Sequence, residues 1–302
     1  MGASPRIQEI QNSLKMRVGI LGKGFGLYGY LPAFIDLGYR AVTLEKYRQE
    51  IEGRAELRSC LPLTDFVNSD SDVIEAADII VVARNPTRQF RFIQDYEGGK
   101  VRLFLEKPLA PGIEDHKIAL NLLREHSLNF SVGYIFKYTT WYQEIVDLVS
   151  RKDSKVLIDW EVASTFNSWK GDESAGGGLS AFYAVHFVEL LEHLGVSYNT
   201  YFDNLSNVLS INGQGANGVN MEIILKYSDR SFFQVRTETV EAGIAVLYQS
   251  SSPLGEKGVH GKRDPRVSFL KEYIKDTELQ TTGHGFLDLE EAVLRFRMCA
   301  EL

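Results

Sequence analysis

Cysteine is scarce in this chain: Cys60 and Cys299 are the only two in 302 residues. That count excludes a disulfide framework and makes a reducing, cytoplasmic setting the expectation. A basic excess is also missing. Lysine and arginine number 33 against 40 acidic residues, a formal charge of −7, which argues against nucleic acid as a partner. No apolar run approaches the length of a bilayer span, so no membrane association is expected. Residues 1–15 (MGASPRIQEIQNSLK) lack the apolar stretch of a secretory signal and read as a polar extension, with Met16 as an alternative start. No Gly-x-Ser-x-Gly elbow, zinc-type cysteine pattern or Gly-Lys-Ser/Thr phosphate loop is present, so serine-hydrolase and nucleotide-hydrolase chemistry lack support.

What is present is an ordinary globular balance, 44% apolar and 24% charged, over a length that suits two domains. From Met16 onward, apolar runs alternate with helix-compatible stretches. MRVGILGKG leads into FGLYGYLPAFIDLG, YRAVTLE into polar sequence, ADIIVVARNP into TRQFRFIQDYEGG, and VRLFLEKPLAPG into IEDHKIALNLLREHS. This alternation predicts an α/β half built on a doubly wound parallel sheet with right-handed crossovers. Farther along, four segments between about 204 and 250 read as consecutive antiparallel strands. SSSPLGEKGVHGKRDP reads as a mobile loop and FLDLEEAVLRFRMCAEL as an amphipathic C-terminal helix. The expected division is an extension over 1–15, a dinucleotide-binding Rossmann domain over 16–125 and an α+β domain over 126–302.

Two motifs carry chemistry. Gly22-Lys23-Gly24-Phe25-Gly26-Leu27 lies between the first strand and first helix. There glycines permit a tight turn and let a pyrophosphate approach the helix N-terminus. The third small position of the fingerprint is Leu27, a departure. Glu45 ends the second strand about twenty residues on, where a carboxylate accepts the ribose hydroxyls of NAD. Lys46 and Arg48 beside it suit the 2′-phosphate of NADP, so both cofactors fit, with Glu45 tipping the balance to NAD. The second motif, Glu106-Lys107-Pro108, follows a strongly apolar strand. Lys107 there projects toward a nicotinamide site and can polarise a substrate oxygen; Pro108 suits a cis turn.

With the Asn85-Pro86 turn, LPAF after the glycines, GYIFKYTTWYQEI (133–145) and GGGLSAFYAVHFVELLEHLG (176–195), this order of motifs resembles the Gfo/Idh/MocA oxidoreductase family. The chain looks like a divergent member over residues 16–302. The resemblance implies a second domain with a large, open, mostly antiparallel sheet. It also implies bound NAD(H) or NADP(H) and hydride transfer to or from a sugar-like, nucleotide-sugar or cyclitol carbon. It makes Lys107 and His186 the catalytic residues. It lays Gly22, Gly24, Phe25, Gly26, Glu45, Asn85, Pro86 and Glu106 along the cofactor, and implies a homo-oligomer, dimer or tetramer. Lys137, Trp169 and Tyr183 are candidate substrate contacts.

The chain departs from the family pattern at Phe182, where an aspartate is usual, and at Tyr30 and Gln89, where histidines are usual. Lys137 falls in a segment that is often arginine-rich. His186, Glu189 and His193 share a helical face, but i and i+7 are roughly 10 Å apart along the axis, so no metal is expected. Arg84, Arg88 and Arg91 cluster after the fourth strand and read as solvated; Trp141 and Tyr142 read equally as pocket or core. The expectation is an NAD(P)-dependent dehydrogenase acting on CH–OH. The alternative is a non-catalytic cofactor- or ligand-binding protein with a drifted pocket.

Overall fold

A computed structural model describes residues 16–99, 101–149, 154–163, 168–203, 205–215, 218–239, 243–255, 261–279 and 284–300. The N-terminal extension over 1–15 lies outside these residues. Six short strands, β1 (Arg17–Leu21), β2 (Arg40–Leu44), β3 (Thr64–Val67), β4 (Ile79–Val82), β5 (Arg102–Leu105) and β6 (Phe130–Val132), form one wholly parallel sheet. Its order is β3-β2-β1-β4-β5-β6. β4 and the last three residues of β5 are apolar and buried, as strands covered on both faces must be. The chain reverses its direction of winding between β1 and β4, which opens a crevice at their carboxyl ends. The parallel sheet extends past residue 125, since β6 pairs with β5 through Leu103–Leu105.

The crossovers are α1 (Leu31–Asp36), α2 (Arg48–Gly53), α3 (Asp70–Glu75), α4 (Pro86–Asp95) and α5 (Ile113–Glu125). Their starts follow the local chemistry. Ser69 and Asp72 form a reciprocal capping box on α3, and Asn85 caps α4 ahead of Pro86.

The second sheet has the order β12-β11-β7-β10-β9-β8. Its strands are β7 (Ser154–Ala163), β8 (Val196–Asp203), β9 (Val208–Gly215), β10 (Asn220–Ser228), β11 (Phe232–Thr239) and β12 (Gly243–Ser250). Only the β7–β10 pair is parallel, so the sheet is mostly antiparallel. Burial alternates along β7 with period two, as expected when one face is covered. Helices α6 (Thr140–Val149) and α7 (Val185–His193) cover that face, with Trp141 against Phe233 and Phe187 against Trp160. The opposite face carries cross-strand ion pairs, Lys155–Glu222, Lys226–Glu161 and Arg236–Asp159.

Two C-terminal helices return to the first domain. In α8 (Arg266–Leu279), Tyr273 meets Phe104 edge-on at 5.6 Å. In α9 (His284–Ala300), Arg297 is buried and donates to the carbonyls of Ala110 at 3.1 Å and Pro111 at 2.5 Å. Glu290, also buried, accepts from Tyr134 at 2.6 Å and lies 3.0 Å from His116 Nε2. This cluster ties α9 to the segment that follows Lys107. Removing one partner strands the others without water. Glu290→Ala is therefore expected to lower the free energy of unfolding by about 3 kcal/mol, read from urea denaturation. A loss below about 1 kcal/mol, the scale of an exposed pair, would contradict this role.

Candidate active site

The crevice is shaped by close approach of backbones. Gly22 follows β1 directly with φ +145°, and a Cβ there would fall 2.0 Å from the carbonyl oxygen of Ala83, the residue after β4, so glycine alone fits. The helix that follows opens as a π-helical turn, Gly26–Tyr30, before continuing as α1. In this geometry Gly26 makes the tight helix–strand contact: its Cβ would lie 3.1 Å from Ala83 Cβ and 3.3 Å from Ile20 Cγ2. Leu27 instead fills the core, which accounts for a large residue at the third fingerprint position. The first amides of such a helix point out of its N-terminus, ready for an anion.

From this turn a groove runs in both directions. An inner cavity of about 370 Å³ and an outer one of about 380 Å³ share Lys23, Ala83, Arg84 and Asn85 as walls. Gly24 and Phe25 line the inner part and Gly22 the outer. These residues suit a dinucleotide laid across the sheet: a glycine turn at the middle, aromatic walls inside and cations outside. Pro86 takes no part in the lining; it is buried in the first turn of α4, under Gly176. Glu45 is turned to solvent, where it accepts two hydrogen bonds from Arg48 at 2.5 and 2.9 Å. That guanidinium holds its carboxyl below the usual range.

At the inner end, Glu106-Lys107-Pro108 leaves β5 through a cis Lys107–Pro108 bond. Both residues at which histidine is usual in the resembled family hold this segment in place. Gln89 accepts from the Glu106 amide at 2.8 Å and donates to the Glu106 carbonyl at 2.5 Å. Tyr30 donates its hydroxyl to Glu106 Oε1 at 2.7 Å. Burial pushes the Glu106 carboxyl up, against the Tyr30 hydrogen bond and the Lys107 charge.

Lys107 Nζ donates to the Phe182 carbonyl at 2.7 Å and sits 3.4 Å from the centre of the Phe182 ring. Burial lowers its pKa to about 7, with Glu106 opposing and Lys170 and Arg266 assisting. His186, in the first turn of α7, lines the same cavity. It stacks on Phe136 at 4.1 Å and meets Tyr134 edge-on at 6.0 Å. Its Nδ1 is buried without a hydrogen-bond partner among the described residues. Burial, then the charge of Lys107, hold its pKa well below the ordinary histidine range. The sequence thus brings an ammonium and an imidazole, 79 residues apart in the chain, into one cavity.

Trp169 and Tyr183 line this cavity, both edge-on to Phe182, at 5.1 and 4.9 Å. Lys137 does not: it faces Asp276 on α8 at 3.6 Å, while Phe136 beside it points inward. A single 3₁₀ turn, Phe136–Tyr138, sends adjacent side chains in different directions. Trp141 and Tyr142 are core. Arg84 pairs with Asp70 at 2.6 Å, Arg88 lines the outer groove and Arg91 is exposed. Glu189 and His193 line a different cavity, so the helical face shared with His186 does not converge.

Sequence reading missed Trp160, Lys170 and Arg266. Trp160 had a signal, its inward register on an alternating strand. Arg266 had none, because it reaches the site by stacking 4.3 Å over Phe25 from the far end of the chain. The stretch read as a mobile loop also forms a wall at Ser252–Gly255, where Pro253 accepts the Trp141 indole at 2.8 Å; residues 256–260 lie outside those described.

Comparison with known proteins agrees with this fold. Residues 16–134 match the model of an oxidoreductase family with an NAD-binding Rossmann fold, Gfo/Idh/MocA. No curated protein matches the sequence. Among solved structures, the chain is similar to a myo-inositol dehydrogenase from Corynebacterium glutamicum, with a TM-score of 0.64 and 12% identity over 95% of this chain and 97% of that one. It is similar to GenD2 from gentamicin A biosynthesis in complex with NAD, with a TM-score of 0.66 and 14% identity over 95% and 93%. A super-repressor mutant of Gal80p from Saccharomyces cerevisiae also shares the fold, with a TM-score of 0.64 and 13% identity over 95% of each chain. At such identities the likeness is one of fold. Residues 16–134 are thus the part of the chain that matches the NAD-binding Rossmann domain of the Gfo/Idh/MocA oxidoreductase family.

Proposed function

We propose that this protein is a dehydrogenase or reductase that uses NAD(P) to interconvert a hydroxyl and a carbonyl on a sugar-like, nucleotide-sugar or cyclitol substrate. The observation that carries this reading is the convergence of Lys107 and His186 on one cavity beside the glycine turn. A nicotinamide bound there would supply the hydride acceptor or donor. Phe136, Trp160, Trp169, Phe182 and Tyr183 offer the apolar faces against which a ring's C–H surface packs. A cytoplasmic setting belongs to the same reading, with Cys60 and Cys299 as free thiols; no helix among the described residues is long and apolar enough to cross a membrane. So does a homo-oligomer, for which the uncovered sheet face, with Tyr201, Ile244 and Val246 exposed, is the available surface.

The proton chemistry follows from what surrounds the two groups. With Phe182 at its position, His186 has no carboxylate paired with it among the described residues, and its low pKa keeps it neutral. Its part is to hydrogen-bond the reacting oxygen. Lys107 exchanges the proton: as an amine it accepts one from a carbinol, and as an ammonium it donates one to a carbonyl oxygen. A pKa of about 7 makes both forms available. Phe182, through its carbonyl and ring, holds Nζ in place while the proton moves.

Two outcomes test this. In a panel of sugars, nucleotide sugars and cyclitols followed by cofactor absorbance, Lys107→Met is expected to lower kcat by about 10²–10⁴-fold and His186→Ala by about 10²-fold, both retaining cofactor binding. Cofactor binding without turnover by the unaltered protein on every substrate would favour the non-catalytic alternative. The pH profile has a defined sign. Oxidation rises as pH passes through about 7 and the amine forms; reduction falls through the same range as the ammonium is lost. Lys107→Arg, whose guanidinium stays charged, abolishes the rise. A profile with one inflection near 6.5 that His186→Asn removes would assign the proton to the histidine instead.

A further inference from the structure

The outer end of the groove carries more positive charge than a ribose needs. Lys23, Lys46, Arg84 and Arg88 line it against a single carboxylate, Asp70. Two of these cations are answered within the fold, Lys23 by Glu50 at 2.9 Å and Arg84 by Asp70 at 2.6 Å. Lys46 and Arg88 are exposed and have no carboxylate within ion-pair distance among the described residues. They flank Tyr47: the Lys46 ammonium lies 5.4 Å from its ring, and the charge of Arg88 reaches its hydroxyl. Glu45, meanwhile, is absent from the lining and occupied by Arg48 through two hydrogen bonds.

We propose that Lys46 and Arg88 form a phosphate seat at the adenosine end of the groove, and that this chain selects the dinucleotide bearing a 2′-phosphate, NADP(H), over NAD(H). The inference rests on reading the groove as a dinucleotide site. A phosphate monoester is close to dianionic at neutral pH, so two uncommitted cations match it in charge. Arginine supplies directional donors and lysine a point charge. With NAD(H) the same two cations line the groove without an anion to answer them. The preference runs opposite to the one that the position of Glu45 suggests in the sequence.

Fragments isolate the claim from catalysis. Calorimetric titration of the full chain with 2′,5′-ADP and with 5′-AMP is expected to show the first binding at least about tenfold more tightly, the equivalent of roughly 1.4 kcal/mol. The gap closes in the double variant Lys46→Ala/Arg88→Ala and shrinks with added salt, while Glu45→Ala leaves it in place. Equal binding of the two fragments, or a gap that survives the double variant, would overturn the phosphate seat and leave the dehydrogenase reading standing. Binding of neither fragment would overturn the dinucleotide site and the seat together.

Discussion

The chemistry of this site depends on how one lysine is held. An ammonium removed from water needs acceptors or opposite charge nearby, or it surrenders its proton. Lys107 has a carbonyl oxygen and an aromatic face, both from Phe182, and a neighbouring carboxylate in Glu106 that is itself engaged by Tyr30. This support falls short of full stabilisation, and the pKa settles near 7. A carboxylate at position 182 would favour the charged form of both Lys107 and His186. With phenylalanine there, it is the lysine and not the histidine whose pKa lies near neutrality.

The departures from the family pattern are connected. Tyr30 and Gln89 both bond to Glu106, one through the side chain and one through the backbone. Together they fix the segment that aims Lys107. Below it, Arg297 caps the carbonyls of Ala110 and Pro111, and Glu290 joins Tyr134 to His116. Tyr134 in turn meets His186. The C-terminal helix therefore supports the surroundings of both Lys107 and His186 from outside the cavity.

Much of this was legible in the sequence because it rests on local patterns. The apolar runs before Gly22 and Glu106 gave the parallel strands, and strand ends are where ligands of such sheets gather. The resemblance supplied Lys107 and His186. What escaped is what depends on tertiary placement. Nothing local shows that Lys137 faces Asp276 while Phe136 turns inward, although the i,i+3 spacing of Glu45 and Arg48 did carry a sign of their pairing. Leu27 looked like a defect because the fingerprint assumes an α-helical start; a π-helical turn moves the close contact to Gly26. Arg266 opens the helix that follows a segment whose glycines and polar residues suggested only mobility.

The most direct measurement is a crystal structure of the full chain with reduced dinucleotide. It should place Lys107 Nζ and the His186 ring around a single position about 3–3.5 Å from the reactive carbon of the nicotinamide, the spacing of a near-attack geometry. A nicotinamide ring that lies outside this cavity, or that only one of the two side chains can reach, would contradict the account.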